Sequence, residues 1–421
     1  MSTINSAADN VLKSKSTPFV FSFLIVGLLC KQLQFGAFGF IEVATAALCF
    51  ILCAAKIVSE EKIPGRALVV PICLFAIIMI TTAFACVTDP GRVSIRDTIA
   101  YCFTSLIVCS FILASHGREQ AYVKALCLVA ALFLFFFLLL AIVPSPIQGY
   151  MYYQNSWKLQ GLSNNPNQIG FLAATTLTLL LIMEFSCTIA KKTAVIASVA
   201  SGLAGSMSGS SAYTLAVLST LLLIFFFCGV HWSKRLPFVF PFAIVFPTLF
   251  AMLSFFPLSE LSFFEHFPGR QIGVATGQFD DVFDLEADGG QGSARLALWQ
   301  NAFSTVAASP VIGLGPGAHV PLSNVNTGTV ILNEAHNTVI DLLVVTGVLG
   351  ISLFFLLVSR IFFTAYKGKQ LILLVACLTP VGVYSLFHFL GRQPLFWIVL
   401  CLASVTFVML LRQGRGFTRS S

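Results

Sequence analysis

The sequence carries little charge for its length. Of its 421 residues, 10% are charged and 57% are hydrophobic, and the mean hydropathy is +0.91. A soluble domain usually has about 25% charged residues, so the composition excludes an ordinary soluble protein and indicates that lipid is the main solvent. Apolar runs recur along the whole chain with short polar gaps, which favours one polytopic membrane bundle over several soluble domains.

The sequence also lacks the patterns of a metalloprotein. Its 12 cysteines all lie in apolar segments and none has zinc-site spacing, so we interpret them as small apolar side chains within helices. No Asp-x-Asp pair and no Cys/His cluster is present. The acidic run from Asp280 to Asp288 could hold a divalent cation, but a solvated loop explains it better. We therefore predict no metal and no cofactor.

About twelve apolar runs are long enough to cross a bilayer, because a core of about 30 Å needs roughly 20 helical residues. This predicts an all-α integral membrane protein with spans 1–9 in residues 1–256, a large loop over 257–336, and spans 10–12 with a tail in 337–421. The first run resembles a signal peptide but has no convincing cleavage site, so we predict an uncleaved span. The spans are 18–35, 37–56, 67–87, 98–115, 121–143, 167–190, 193–209, 212–230, 236–256, 337–359, 370–389 and 395–411.

The distribution of lysine and arginine predicts the orientation. If the spans alternate, 17 of the 24 Lys and Arg residues lie on one side of the membrane and seven on the other. The positive-inside rule makes the richer side cytoplasmic, which predicts both termini inside and the large loop outside. The net charge of +7 therefore reflects topology, and it gives no reason to expect a nucleic-acid partner.

The large loop is acidic and contains one predicted helix. It has eight acidic residues against two basic ones, Arg270 and Arg295. Apolar side chains recur at helical spacing from Ala294 to Ala308, which predicts an amphipathic helix at the outer membrane interface, ended by Ser309-Pro310. Because a loop of this length is usually functional, we expect the chemistry to lie here.

Polar residues of this loop are the first candidates for a site. Arg295 can hold a phosphate with two parallel donors, or it can be a surface residue beside Trp299. His336 can take a proton from a hydroxyl or, when charged, steady a phosphate; as a lone histidine it can also be a capping residue. Glu334 and Asn337 flank it at the mouth of the tenth span, where ionisable groups are costly unless paired or functional.

Other outer segments supply further candidates. Gly315 lies in a glycine-rich turn without the Lys-Ser/Thr of a P-loop, so a structural turn is favoured over an anion site. Asn167 follows an Asn-Pro turn at a helix start. Arg392 occupies the short turn between the last two spans. Arg96 lies in another outer turn, where pairing with nearby aspartates, Asp97 among them, is sufficient to explain it.

Four segments together resemble the O-antigen ligase and O-antigen polymerase superfamily of bacterial inner membranes. They are Gly161 to Asn167, Ala294 to Leu296 with Trp299, Pro310 to Gly317, and Glu334 to Asn337 followed by Gly347 and Gly350. The resemblance implies a GT-C-like fold and a metal-independent glycosyltransferase whose site faces the periplasm. It also implies a donor glycan on undecaprenyl diphosphate, an acceptor glycan, and a flippase and a chain-length regulator as partners.

The resemblance also implies residue roles. Arg295 and His336 match the arginine and histidine that similar proteins use, so we predict them as catalytic. Many relatives have a Ser-Arg pair near the seventh and eighth spans, whereas this chain reads Ser208-Gly209-Ser210-Ser211 and lacks that arginine. Arg392 or Arg270 could supply the missing charge. The predicted substrate-binding residues are Arg392, Arg270, Glu334, Asn337, Asn167 and Gly315.

Three functions remain open at this point. A polymerase, for an exopolysaccharide, capsule or O-antigen, is favoured weakly by the departure at the Ser-Arg position. A ligase that moves the chain onto lipid A–core uses the same donor chemistry. A transporter or flippase would show inverted repeats and ionisable residues near the membrane midplane, but no clear repeat is found and the polar residues gather at one face.

Overall fold

The structure, a computed structural model, describes residues 10–30, 39–59, 65–88, 94–142, 151–153, 158–163, 165–185, 189–231, 291–323, 330–367 and 371–402. The helices before the large loop are α1 (Thr17–Gly27), α2 (Phe40–Val58), α3 (Gly65–Thr88), α4 (Ile95–Ser115), α5 (Glu119–Ile142), α6 (Pro166–Phe185), α7 (Lys191–Met207) and α8 (Ser211–His231). After them come α9 (Gln291–Val306), β1 (Val320–Ser323), β2 (Val330–Asn333), α10 (Thr338–Lys367), α11 (Leu371–Phe387) and α12, which begins at 394 and is described to 402.

The described helices are those of a membrane protein. Four are long and apolar enough to cross a bilayer: Phe40–Val58, Ile95–Ser115, Glu119–Ile142 and Thr338–Phe363. Shorter apolar helices lie at Thr17–Gly27, Ile72–Thr88, Ser211–Phe225 and Leu374–Phe387. Large apolar side chains such as Phe40 and Val87 point outward and are more than four-fifths exposed, as expected where lipid replaces water. The predicted all-α membrane class is confirmed.

Most predicted spans match described helices closely. The predictions 37–56, 98–115 and 212–230 agree with α2, α4 and α8 to within three residues at each end. The first span is shorter than its prediction of 18–35, because α1 ends at Gly27 and Leu28 and Leu29 form a turn. The predicted span 236–256 lies outside the described residues.

Helix α6 lies at the centre of the bundle, packed against α5, α7, α8 and α11. Glycines allow close approach at two of these contacts. Gly205 of α7 lies against the ring of Tyr213 in α8, and Gly170 of α6 lies against the hydroxyl of Tyr384 in α11. That hydroxyl donates to Ser210 Oγ at 3.2 Å. Small residues commonly allow membrane helices to pack closely, and here they bring α11 next to the turn between α7 and α8.

Part of the large loop folds into a small cap at one end of the bundle. The cap consists of residues 291–323 and 330–337, and α9 packs on both β1 and α10 through a cluster that includes Leu298, Ala302 and Val344. The two strands pair antiparallel, with Val320 opposite Asn333. The helix was predicted, but the hairpin was not, because four-residue strands are too short to show a clear alternating pattern.

Helix α10 is broken at Gly347, which has φ +61° and ψ −165°. The segment Pro310 to Gly315 fills the break. Leu314 and Gly315 N–H donate to the carbonyls of Val344 and Val345 at 2.9 and 3.0 Å, and Val348 N–H donates to Pro310 O at 2.9 Å. A break at membrane depth leaves backbone groups without helical partners, so another segment of protein must satisfy them. The glycine-rich turn performs that task.

Candidate functional site

The loop from Glu334 to Asn337 is fixed by the carboxylate of Asp341, about one turn into α10. Asp341 Oδ1 accepts from Ala335 N–H at 2.7 Å, and Oδ2 accepts from Asn337 N–H at 3.1 Å. Trp299 of α9 adds a third link, since its indole Nε1–H donates to Ala335 O at 3.0 Å. The residues on both sides of His336 are therefore held in place.

His336 has φ +53°, and no other described non-glycine residue has a positive φ. This left-handed conformation is uncommon for a side-chain-bearing residue and costs of the order of 1 kcal/mol. The clamped neighbours Ala335 and Asn337 maintain it. As a result the buried loop turns the imidazole out into a cavity, where His336 is exposed.

Asn337 connects this loop to α11. Its side-chain Oδ1 accepts from the N–H groups of Val339 and Ile340 at 3.0 and 3.2 Å, which makes it the N-cap of α10. Its Nδ2 donates to Leu386 O at 3.2 Å. The next residue, Thr338, donates to His388 O at 2.7 Å. The end of α11 is thus bound to the start of α10.

Arg392 joins three elements through ion pairs. Its guanidinium contacts the carboxylates of Asp97 near the start of α4 and of Glu334 in the cap, and it lies 5.2 Å from the ring centroid of Phe389. Thr104 Oγ1 of α4 donates to Arg392 O at 3.0 Å. Asp97 thus pairs with Arg392 rather than with the arginine beside it in sequence.

These elements surround a cavity of about 380 Å³. One wall contains three neutral amide side chains from the start of α6, those of Asn165, Asn167 and Gln168. The other lining residues include charged, imidazole and aromatic groups and one further amide, Gln393. The described residues of the lining are Arg96, Asp97, Ala100, Asn165, Asn167, Gln168, Glu334, His336, Tyr384, His388, Phe389, Leu390, Arg392 and Gln393.

Two imidazoles and Arg295 form one electrostatic unit at this cavity. The guanidinium of Arg295 lies 5.8 Å from the ring centroid of Phe387, at the end of α11. Desolvation and the charge of Arg295 lower the pKa of His336 below its usual 6.5, and the same causes, with His336 added, lower that of His388 further. Both imidazoles are therefore neutral near pH 7 and able to accept a proton or a hydrogen bond.

The segment where relatives have a Ser-Arg pair lies behind the cavity. Ser208 and Ser210 are buried, and the Tyr384 hydroxyl that bonds Ser210 belongs to a residue of the cavity lining. The turn itself contributes no residue to the lining. The turn therefore supplies no other residue in place of the arginine that it lacks.

The predicted site residues fall into three groups. His336, Glu334, Arg392 and Asn167 line the cavity, and Arg295 acts on it through its charge. Asn337 and Gly315 are not in the lining: Asn337 caps a helix, and the Gly315 amide is bonded to Val345 O. These hydrogen bonds give both residues structural roles, and their part in substrate binding stays a prediction. Arg270 lies outside the described residues.

Two residues of the cavity, His388 and Arg96, were not among the predicted site residues. His388 lies within the predicted apolar span 370–389 and was therefore treated as part of a membrane helix. A histidine near the end of a span is nevertheless a signal of a functional residue. Arg96 was explained by local pairing with aspartates, yet its side chain is exposed and lines the cavity. Only the contact of α4 with the turn at Arg392 could show this placement.

The chain is similar to a known protein family over part of its length. Residues 196–355 match the family model Wzy_C, described as O-antigen ligase. The matched range contains Arg295, His336 and the break at Gly347, and it confirms the resemblance to the O-antigen ligase and polymerase superfamily. No curated protein matches the chain. Within the described residues, no group of three His, Cys, Asp or Glu side chains is placed to hold a metal ion.

Proposed function

We propose, from the match of residues 196–355 to the O-antigen ligase family model, that the chain transfers a glycan from undecaprenyl diphosphate to a sugar hydroxyl at the periplasmic face of the bacterial inner membrane. The observation that carries the proposal is that His336 lines a polar cavity at the ends of apolar helices, where the charge of Arg295, from a separate segment, acts on it. A lipid-linked diphosphate presents its head group at that depth while its chain stays in lipid.

In the proposed reaction the acceptor hydroxyl oxygen attacks the anomeric carbon of the donor sugar. The carbon–oxygen bond to the diphosphate breaks, and the lipid diphosphate leaves with the electron pair. His336 takes the hydroxyl proton, and Arg295 stabilises the charge that develops on the leaving group. Direct attack inverts the anomeric centre.

The state of His336 suits this role. A general base must be unprotonated at the working pH, and a positioned base contributes about 10²–10⁴ in rate. The desolvated position and the neighbouring Arg295 keep the imidazole neutral. Arg295 thereby has two effects: it helps to keep His336 unprotonated, and it stabilises the leaving diphosphate. A preorganised donor to a developing anion contributes about 10²–10³ in rate.

The amide wall is suited to the sugars. Asn165, Asn167 and Gln168 carry both donors and acceptors and no charge, so they can bind neutral hydroxyl groups without competing with the diphosphate for cations. The Asn165 side chain is itself oriented, because its Oδ1 accepts from Asn167 N–H at 2.9 Å. We assign this wall to the glycan.

Two candidate functions differ in the acceptor that receives the glycan. A polymerase uses a new lipid-linked repeat unit, and the departure at the Ser-Arg position favours it. A ligase uses lipid A–core, and the description of the matching family favours that alternative. Deleting the gene separates them: loss of a polymerase leaves single repeats, whereas loss of a ligase leaves long chains on the carrier lipid.

The reaction itself can be tested with purified protein in nanodiscs and a lipid-linked repeat unit, with and without EDTA. We expect turnover in both conditions. Arg295→Gln should lose about 10²–10³ in rate and His336→Asn about 10²–10⁴. Asparagine is the matched replacement for His336 because it tolerates the left-handed conformation. A normally inserted Arg295→Gln variant with full activity would overturn the assignment.

A further inference from the structure

We propose that Arg96 is the second cationic residue that holds the donor diphosphate, together with Arg295; this inference rests on the proposed function. A sugar diphosphate lipid carries two negative charges, and the departing lipid diphosphate carries more, so one arginine leaves the group undercompensated. The turn at Ser208 to Ser211 cannot supply the second charge, since it lies behind the cavity and contains no basic residue.

Arg392 is a poor candidate for that second charge. It lines the cavity, but its guanidinium is paired with two carboxylates, Asp97 and Glu334. Together these three side chains carry a net negative charge and would not attract a diphosphate. Arg392 is better described as a positioning residue that fixes the cap against α4.

Arg96 is differently placed. Its side chain is exposed and lines the same cavity, and the structure gives it no ion pair with any described residue. Both carboxylates of the described lining, Asp97 and Glu334, are held by Arg392. Among the described residues of the lining, Arg96 is thus the cation whose charge is not offset by a paired carboxylate.

Helix electrostatics argue against a purely structural role for Arg96. It is the second residue of α4, whose N-cap Ser94 accepts from Asp97 N–H at 3.2 Å. The positive end of a helix dipole disfavours a cation and favours an anion. An arginine there does not stabilise its own helix, but arginine and helix end together would attract a phosphate.

The backbone on both sides of Arg96 is also fixed by the rest of the site. Ser94 N–H donates to Pro316 O at 3.0 Å, which attaches the start of α4 to the segment that fills the break in α10. From the other side, Arg392 binds Asp97, the neighbour of Arg96 in sequence. A diphosphate ligand needs such a pre-positioned arginine, because its two parallel donors must meet the oxygens in one geometry.

The test measures binding of farnesyl diphosphate, with farnesyl monophosphate for comparison, to the full-length protein in nanodiscs. The variants are Arg96→Gln, Arg96→Lys and Arg295→Gln. Lys192→Gln is the control, because it removes one exposed positive charge from the end of α7 away from the cavity. We expect Arg96→Gln to weaken diphosphate binding about ten- to a hundred-fold, with a smaller effect on the monophosphate. Arg96→Lys should recover only part of the loss, and the control should match wild type.

The outcomes separate this inference from the proposed function. Weaker diphosphate binding in both Arg96→Gln and Arg295→Gln supports it. Weaker binding in Arg295→Gln alone overturns the role of Arg96 and leaves the glycosyltransferase proposal standing. Unchanged binding in both variants counts against the diphosphate donor itself. Equal losses for diphosphate and monophosphate would also overturn the inference, because they indicate general attraction of anionic lipid.

Discussion

The histidine at position 336 combines an uncommon backbone conformation with a lowered pKa, and both arise from its neighbours. Asp341 binds the amides on either side of it, and burial, together with the charge of Arg295, raises the free energy of its protonated form. Neither property belongs to histidine as a residue type. The loop therefore determines where the imidazole lies, while burial and the charge of Arg295 in α9 together lower its pKa.

The coupling between Arg295 and His336 predicts a pH effect. Removing the cation in Arg295→Gln should raise the pKa of His336 towards 6.5, because imidazolium would no longer be repelled. The wild-type imidazole should stay neutral to a lower pH than in the variant, so protonation begins at higher pH in Arg295→Gln. NMR titration of ¹³C-labelled histidine in nanodiscs measures this directly. Lys192→Gln should leave the titration unchanged, and an unmoved His336 titration in Arg295→Gln would refute the coupling.

At the scale of elements, the break in α10 determines the architecture of the site. The first half of α10 carries Asp341 and the loop that presents His336. The break at Gly347 receives the segment from Pro310 to Gly315, which follows α9. The segment that resembled an anion-binding loop therefore works by positioning α9 and its Arg295 relative to α10.

Two glycine substitutions test this role. In Gly347→Ala the new methyl group would meet the Val311 carbonyl, and the residue would keep a left-handed φ. We expect a loss of at least about 2 kcal/mol of unfolding free energy, measured by thermal unfolding in detergent. Gly382→Ala in α11 is the matched control: a methyl group there meets nothing within 4 Å, so stability should hold or rise by up to about 1 kcal/mol. Equal stability of the two variants would show that the break is dispensable.

The ion pairs of Arg392 make a second prediction about elements. Arg392→Met should remove the cation that pairs with Asp97 and Glu334 and destabilise the protein by about 2 kcal/mol, below the 3–5 kcal/mol typical of fully buried pairs because the arginine is 30% exposed. The triple variant that also contains Asp97→Asn and Glu334→Gln should recover most of this stability. Thermal unfolding measures the stability of both variants. A triple variant less stable than Arg392→Met would show that the negative charges of Asp97 and Glu334 do not cause the destabilisation.

At the scale of the whole molecule, the sequence predicted the helices better than their arrangement. Hydropathy located α2 to α8 because lipid demands long apolar runs, and helical spacing located α9. The motif around His336 was recognised, but the clamp by Asp341 depends on a carboxylate folding back on its own loop. Pairing of Asp97 with Arg392 depends on contact between elements almost three hundred residues apart, which no local pattern records.

The missed cavity residues have a common physical reason. His388 and Arg96 lie at the ends of different helices, and only tertiary packing brings them to one cavity. Conversely, Asn337 and Gly315 looked functional because polar and glycine residues near a span mouth are unusual. Their hydrogen bonds show that capping α10 and filling its break are sufficient reasons for them.

The orientation of the molecule remains a prediction from the lysine and arginine distribution, and it can be tested on intact cells. In a cysteine-free background, Ser304→Cys lies on the exposed side of α9 in the cap, and Thr193→Cys lies exposed at the start of α7. The positive-inside rule places the first position outside and the second inside. A membrane-impermeant maleimide should label Ser304→Cys in intact spheroplasts and Thr193→Cys only after permeabilisation. The reverse pattern would put the cavity on the cytoplasmic side, where a periplasmic glycan transfer could not take place.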